Sequence, residues 1–351
     1  MPIKLKDIAL KTGFSLSTVS RVLHKGSKKI SISEETTLII KKTAEELGYH
    51  PNVLARSLRT EQTHEIGILV PDISNPFFST IVKNLASELR KFGYGTVVYD
   101  TDENTIREEE SLRQLLDKRV DGLIVAAVGQ EAKHLKEIVN KRRIPLITLD
   151  RCFNDFDVDG VSVDNVYGAM MAVQYLLSEG HRRIAFIQGL PGTYANEERK
   201  KGYTKALEMA GLPIDPAIIV GNDFRAFNGY IETKHLLTIS NPPTAIFSAS
   251  DLITLGVLEA LREGKKVIPQ ELSLVTFDDP YFTKYLSPAL TAVAQPIERM
   301  VEMAVNLLFR RMKDPNKESR RILLEPTLII RNSVLRISQL SSIINFKNKN
   351  S

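Results

Sequence analysis

The sequence predicts an α/β chain in two parts: a small all-helical helix-turn-helix headpiece, then a two-lobed core of doubly wound parallel sheets. Three observations predict it. A helix, a glycine turn and a second helix opening on serine fall within the first sixty residues. The positive charge of the chain is concentrated in that same stretch. From Glu65 onward, apolar runs alternate with amphipathic stretches, the signature of repeated β-α units.

In the headpiece, Leu5, Ile8 and Ala9 lie at helical spacing and face a small core. Gly13 stands where the chain turns between helices, a position that favours positive φ. Ser15 reads as the N-cap of the second helix. Val19, Val22 and Leu23 share one face of that helix, so Leu16, Ser17, Ser20 and Arg21 point elsewhere. A helix this short buries one face only, and its polar face is free to enter a groove. A third helix is expected from Ser33 to Leu47, with Ser33 as cap, Glu34 and Glu35 at the positive dipole end and Gly48 at the stop. Leu38, Ile39, Lys42 and Glu46 supply its mixture of buried and exposed positions. Between the second and third helices, Lys25, Lys28 and Lys29 admit phosphate contact or plain solvation, with solvation preferred. Pro51 then breaks the chain and Asn52 can cap a helix of less than two turns, too short to persist alone in water.

The charge supports a phosphate-binding headpiece. Residues 1–60 hold 11 basic and 5 acidic side chains, a net of +6; the whole chain is +5, so the remainder carries about −1. This asymmetry is the footprint of a nucleic-acid-binding module on a near-neutral core.

The core reads strand by strand. Residues 66–70, 96–99, 122–125 and 145–149 form a first set of buried strands, separated by helices near 77–92, 106–118 and 131–142. A second set comprises 161–163, 184–187, 245–247 and 274–277, with helices near 165–179, 196–210, 228–239 and 251–263. Ligands in such sheets bind beyond the carboxyl ends of the strands, so two lobes would offer those ends to one cleft.

Several function classes are disfavoured. With 351 residues, no apolar stretch reaches membrane-spanning length, and Lys4, Lys6 and Asp7 interrupt any signal peptide. Cys152 is the only cysteine, so no intramolecular disulfide framework exists. A cytoplasmic location follows as the expectation. The histidines (His24, His50, His64, His134, His181, His235) show no metal-ligand spacing, and neither a nucleophile elbow nor a phosphate or dinucleotide loop is present. No catalysis, cofactor or metal is expected; Asp155 to Asp159 reads as a solvated loop.

These segments closely resemble the lactose/galactose repressor family. The resemblance is carried by Leu5 to Ala9, Gly13 to Leu23 and Tyr49 to Leu58 in the headpiece. In the core it is carried by Pro71 to Phe78, Val163-Asp164-Asn165, Gly180 to Ile187, Thr276 to Asp279 and Gln295-Pro296, reaching about residue 332. It implies a periplasmic-binding-protein-like core and a homodimeric transcriptional regulator, repressor by default, on a pseudo-palindromic duplex operator. By the resemblance, Leu16, Ser17 and Arg21 match positions that touch bases, while Ser15, Thr18 and Ser20 meet phosphates. The hinge folds when two copies pack over the minor groove: Asn52 caps it, Ala55 permits close approach and Arg56 reaches phosphates or the groove edge. Leu58 matches the leucine wedge that kinks the central step; the plainer alternative is a linker leucine.

For a small-molecule effector, likewise by resemblance, Arg199 holds ligand hydroxyls or carboxylates, Asp278 is the partner carboxylate, and Phe224 stacks on a ring. Phe77, Asp150 and Asp164 complete the cleft. Ser250 stands where the family usually has asparagine, which puts a specific sugar pattern in doubt. A salt bridge across the lobes for Arg199–Asp278, and ordinary packing for Phe224, are the alternatives. The expected boundaries are headpiece 1–50, hinge helix and linker 51–62, core 63–332 and a disordered tail 333–351. Within the core, lobe 1 takes about 63–161 and 294–322, and lobe 2 about 162–291 and 323–332. Rival readings are a sugar-binding receptor without DNA affinity, a sugar-processing enzyme, and a regulator controlled by a partner protein. The effector's sign, inducer or corepressor, stays open.

Overall fold

A computed structural model describes residues 3–23, 32–49, 62–128, 133, 135–137, 143–153 and 156–338. The chain divides into two compact units, Met1–Thr63 and His64–Ser351, each described by itself. The expected hinge residues Asn52, Ala55, Arg56 and Leu58, and Lys25, Lys28 and Lys29, lie outside the described residues.

In the first unit, α1 (Leu5–Thr12), α2 (Leu16–Leu23) and α3 (Glu34–Glu46) enclose a core of Ile8, Val19, Ile40 and Ala44, with Phe14, Val22 and Tyr49 packed around it. Gly13 ends α1 at φ 73° and donates to the Ala9 carbonyl at 2.9 Å, the left-handed C-cap that a side chain would strain. Ser33 caps α3 by accepting from Thr36 N–H at 3.2 Å. The inward face of α3 differs from the expected one. Leu38 is 69% exposed and Ile39 40%, whereas Ile40 is fully buried. Once Ile40, Thr43 and Ala44 turn inward, helical periodicity carries the two preceding apolar residues outward.

The second unit holds two six-stranded sheets. The first contains β1 (Glu65–Val70), β2 (Gly95–Asp100), β3 (Gly122–Val125), β4 (Leu146–Leu149), β5 (Asp159–Val163) and β11 (Arg321–Leu324), in the order β11-β5-β4-β3-β1-β2, all parallel. The second contains β6 (Ile184–Ile187), β7 (Ile219–Val220), β8 (Ala245–Ser248), β9 (Ser273–Phe277), β10 (Thr291–Ala294) and β12 (Thr327–Ile329), in the order β12-β10-β9-β8-β6-β7. Only the β10–β12 pairing is antiparallel. Among the described residues, the helices beside lobe 1 include α4 (Pro76–Lys91) and α5 (Thr105–Asp117); the expected helix near 131–142 falls mostly outside them. Beside lobe 2 lie α6 (Asn165–Ser178), α7 (Tyr194–Met209), α8 (Ala226–Thr238) and α9 (Asp251–Glu263). Helix α10 (Ile297–Lys313) returns to lobe 1, packing its apolar face against α4 and the sheet. The inner strands are buried along their whole length because helices cover both faces.

Two expectations are corrected. Residues 161–163 are expected in the second set, yet β5 pairs with β4 and β11 in the first sheet. Asp159, expected in a solvated loop, is instead buried at the start of this strand and anchors it there: its carboxylate accepts from Arg311 Nε and Arg320 N–H, both at 2.8 Å, and from Arg310 Nη1 at 3.2 Å. The tail also stays ordered past residue 332. Ser333 is fully buried; its Oγ donates to the Leu274 carbonyl and accepts Thr291 N–H at 2.8 Å, and Ile337 N–H reaches the Glu179 carbonyl at 2.9 Å. Hydrogen bonds to backbone groups at β9 and β10, with Val334 packed on the core of the second lobe, hold this segment. Residues 339–351 lie outside the described residues. No described helix is long and apolar enough to cross a membrane.

Candidate functional site

The chain offers two candidate sites. On α2, Ser15, Leu16, Ser17 and Arg21 are exposed, Leu16 by 52%; Thr18 and Ser20 are half-buried. Ser15 caps the helix, accepting Thr18 N–H at 3.1 Å, and its Oγ lies 2.8 Å from both Ser17 Oγ and Thr18 Oγ1. The cap therefore gathers three hydroxyls at the helix N-terminus, where partial positive charge favours a phosphate oxygen. Arg21 projects from the same helix with its guanidinium in solvent.

The second site lies between the lobes, at the carboxyl ends of the strands, as topology requires. Asp150 follows β4 and Asp278 follows β9, with φ of 68° and 73°. Both are held in the left-handed region that non-glycine residues avoid, a strain found where side-chain aim matters. Phe77 sits on the first turn of α4, its N–H bound at 2.8 Å by the cap residue Asn75. Arg199 projects from α7. Its Nε donates to Asn165 Oδ1 at 2.8 Å and its Nη1 to the Ala249 carbonyl at 2.6 Å, while the guanidinium lies 3.7 Å from the Phe277 ring centre. The Asp278 carboxylate is 3.8 Å from Nη1 and accepts Gln295 Nε2 at 2.6 Å. Arg199 and Asp278 both belong to lobe 2, so their ion pair is internal to that lobe; a bridge across the lobes is ruled out for this pair.

A cavity of about 30 Å³ is lined by Phe77, Asp150, Arg199, Phe224, Ser250 and Asp278, six of the seven expected effector residues. The seventh, Asp164, is placed otherwise: it lines neither cavity, and its Oδ1 caps α6 by accepting Tyr167 N–H at 2.8 Å. Its neighbour Asn165 orients Arg199 instead. Ser250 is partly committed as well, with Oγ accepting Ile253 N–H at 3.3 Å to cap α9.

Sequence reasoning missed Arg151, Glu103, Asn75 and Phe78 on the same cavity. Arg151 and Glu103 form a bidentate pair at 2.6 and 2.7 Å. The Arg151 guanidinium lies 5.7 Å from the ring centres of both Phe78 in lobe 1 and Phe224 in lobe 2. Gly189 makes room for Phe224; a Cβ there would sit 2.2 Å from the ring. At the rim, Asp102 joins Arg107 of its own lobe at 2.9 Å and Arg225 of the other at 3.0 Å. The signal for Arg151 was its place after a strand-ending aspartate. Glu103 gave none, because its partner is 48 residues away.

A second cavity, about 340 Å³, adjoins the first and shares Phe77 and Asp278 with it. Its walls include Pro76 and Thr80 from α4, Asp251, Tyr281, Gln295 and Ile297. Four buried polar atoms at the two cavities have no partner: Asp150 Oδ1, Arg151 Nε, Asp251 Oδ2 and Gln295 Oε1. Burial pushes the Asp150 carboxyl up to about 6, against the pull of Arg199 and Arg151. Asp251 is raised well above the carboxylate range, first by burial and then by Asp278. Among the described residues, no cluster of His, Cys, Asp and Glu is arranged to hold a metal.

Comparison with known proteins fits this arrangement. Residues 4–52 match the family of bacterial regulatory proteins, lacI family, and residues 173–334 match the periplasmic binding protein-like domain. The ribose operon repressor of Haemophilus influenzae is 33% identical over 330 residues, covering 94% of this chain and 98% of that protein. A lacI-family regulator from Enterococcus faecium with bound ribose is 31% identical, covering 78% of this chain and 99% of that one, with a TM-score of 0.71. A lac repressor dimer bound to operator and the anti-inducer ONPF is 24% identical and shares the fold, at a TM-score of 0.84 over 95% of this chain and all of that one. Headpiece and cleft together define a DNA-binding transcriptional regulator and not an enzyme. The chain belongs to the lacI family.

Proposed function

We propose that this regulator acts in the cytoplasm as a homodimeric repressor of a pseudo-palindromic operator and is controlled by a neutral, polyhydroxylated effector of the sugar class. In this reading Leu16, Ser17 and Arg21 meet bases and Ser15, Thr18 and Ser20 meet phosphates. Asn52, Ala55, Arg56 and Leu58 form the hinge that wedges the central step. The observation that carries the effector class is the pair of orphan atoms on consecutive residues, Asp150 Oδ1 and Arg151 Nε. Both residues line the same cavity, and the hydroxyls of a sugar can donate to the first and accept from the second. Five acids (Glu103, Asp150, Asp251, Asp278, Asp279) against two arginines (Arg151, Arg199) disfavour an anion. The ribose operon repressors among the relatives support a pentose.

An effector that closes differently on the two lobes biases their relation, and the paired hinge helices transmit that bias to the operator. The test selects retained sequences from random duplex DNA at physiological salt, then titrates D-ribose against the recovered operator. A palindrome whose retention responds to ribose is expected. Retention without sequence preference counts against the operator assignment, and a palindrome indifferent to neutral sugars counts against the effector class. Arg21→Ala is expected to relax base preference at one position of each half-site by about 1–3 kcal/mol, measured by the same selection.

A further inference from the structure

Buried charge does not balance where α9 begins. Two acids on these walls are fully engaged: Glu103 by Arg151, and Asp279 by Arg331 through two bonds of 2.7 and 2.8 Å. Asp150, Asp251 and Asp278 remain, and Arg199 is the guanidinium left on the cavity walls to face them. With all three ionised, two negative charges would stand uncompensated in a dry space, a state that proton uptake relieves. The partners decide which carboxyl is neutral. Asp278 lies 3.8 Å from Arg199 Nη1, accepts Gln295 Nε2 at 2.6 Å and leans on the Asp251 backbone N–H. Asp150 lies beside both Arg199 and Arg151. Asp251 is 1% exposed; its Oδ1 takes Leu252 N–H at 2.7 Å, and its Oδ2 is sealed from solvent without a partner. A neutral hydroxyl costs less there than an anionic oxygen. The positive end of α9 favours the anion, but burial, and then Asp278, outweigh it and push Asp251 up to about 8. The neighbouring elements do not reverse this. Helices α4 and α10 face the site with Pro76, Phe77 and Ile297, and α8 sends Lys234 to Glu263 at the opposite end of α9. Arg225, which precedes α8, is held by Asp102 at 3.0 Å.

We propose that Asp251 is a proton-operated switch in the second lobe: neutral, it lets the first turn of α9 pack on β9, and ionised, it sets an uncompensated charge beside Asp278 and loosens that contact. The tie at stake is Thr254 Oγ1 on α9, 2.6 Å from Thr276 Oγ1 on β9. The switch needs no ligand and stands apart from the effector proposed above. Its sign follows from linkage. An unfolded aspartate titrates near 3.8, whereas folded Asp251 keeps its proton to about 8. Unfolding between those limits releases a proton, so stability falls as pH rises from about 4 to about 8 and is level beyond. Asp150 adds its own fall only up to about 6, and His181 acts only below 6.5. The window from 6.5 to 8 therefore belongs to Asp251.

The test is urea unfolding of the full chain across that window, followed by circular dichroism, in wild type and Asp251→Asn. Asparagine has the size of the neutral acid and no proton to lose. The unfolding constant of the wild-type core should rise about tenfold per pH unit, the mark of one released proton, and that of Asp251→Asn should stay within about threefold across the window. Equal slopes in the two proteins overturn the assignment. Infrared spectra of the wild type give a second readout that does not depend on the variant folding. The C=O band of a protonated carboxyl is expected at pH 7 and should fade by about pH 9. Absence of the band at pH 7, or its persistence unchanged at the higher pH, overturns the switch.

Discussion

Helix α2 and the cleft handle polar groups in opposite ways. On α2, hydroxyls bond to one another and the guanidinium of Arg21 stands in solvent, so nothing there is left wanting in the free protein. In the cleft, polar groups are buried, fixed by named partners, and four atoms are left unsatisfied. A surface that reads DNA is defined by what it presents; a pocket that reads a small molecule is defined by what it lacks. The first gains affinity from long-range charge and the second from short-range hydrogen bonds in a dry space.

Salt should separate the two most widely. If about six phosphates are neutralised, operator affinity falls by about a thousandfold between 50 and 200 mM salt, while effector affinity barely changes. Parallel salt titrations check this, and equal slopes would break the comparison. Next in size is Arg199→Ala, which removes the partner of Asp278 and leaves buried carboxylates uncompensated. A loss of about 3–5 kcal/mol in core stability is expected, with effector binding abolished; calorimetry and thermal melts read both.

Asp150→Asn should act with opposite signs on stability and binding. A carboxyl lifted from 3.8 to about 6 binds its proton more tightly when folded. The ionised form therefore costs the core about 3 kcal/mol at pH 7, and this cost fades as pH falls from 6 towards 4. Asparagine should raise the melting temperature at pH 7, give no advantage near pH 4, and weaken sugar binding. His181, held down to about 4 chiefly by burial, works in the other direction: its protonation opposes folding as pH drops from 6.5 towards 4. Comparing the variant with wild type at each pH isolates Asp150, since His181 is common to both. The smallest effect belongs to Arg225→Ala. Its bridge to Asp102 is exposed, so effector affinity should shift by less than about 1 kcal/mol, and the shift should vanish at high salt.

Much of this was legible in the sequence, for reasons that differ between residues. The strands at 66–70 and 184–187 announce themselves as apolar runs because both sheet faces are covered. Gly13 and Ser15 show because turn and cap chemistry is local. Strand β7 and the late elements β10, α10, β11 and β12 were not read, although Met300, Val301, Ala304 and Leu308 carry a helical period. Strands β7, β11 and β12 stand at sheet edges with partly exposed side chains, so no continuous buried run marks them. Ile40 was hidden among three consecutive apolar residues, where spacing alone does not choose the inward one. In the cleft, resemblance supplied the positions, but only geometry shows that Asp164 is a cap and that Arg151 bridges two aromatic rings.

The return of the chain to lobe 1 bears on how the protein is made. The edge strand β11 and the covering helix α10 are synthesised only after the central strands of lobe 2. At ordinary ribosomal speeds, the face of lobe 1 that α10 will cover stays bare for on the order of ten seconds while that stretch is translated. A newborn chain therefore displays an apolar surface that the finished regulator hides, and a message truncated before residue 297 would yield a product with its first lobe permanently open.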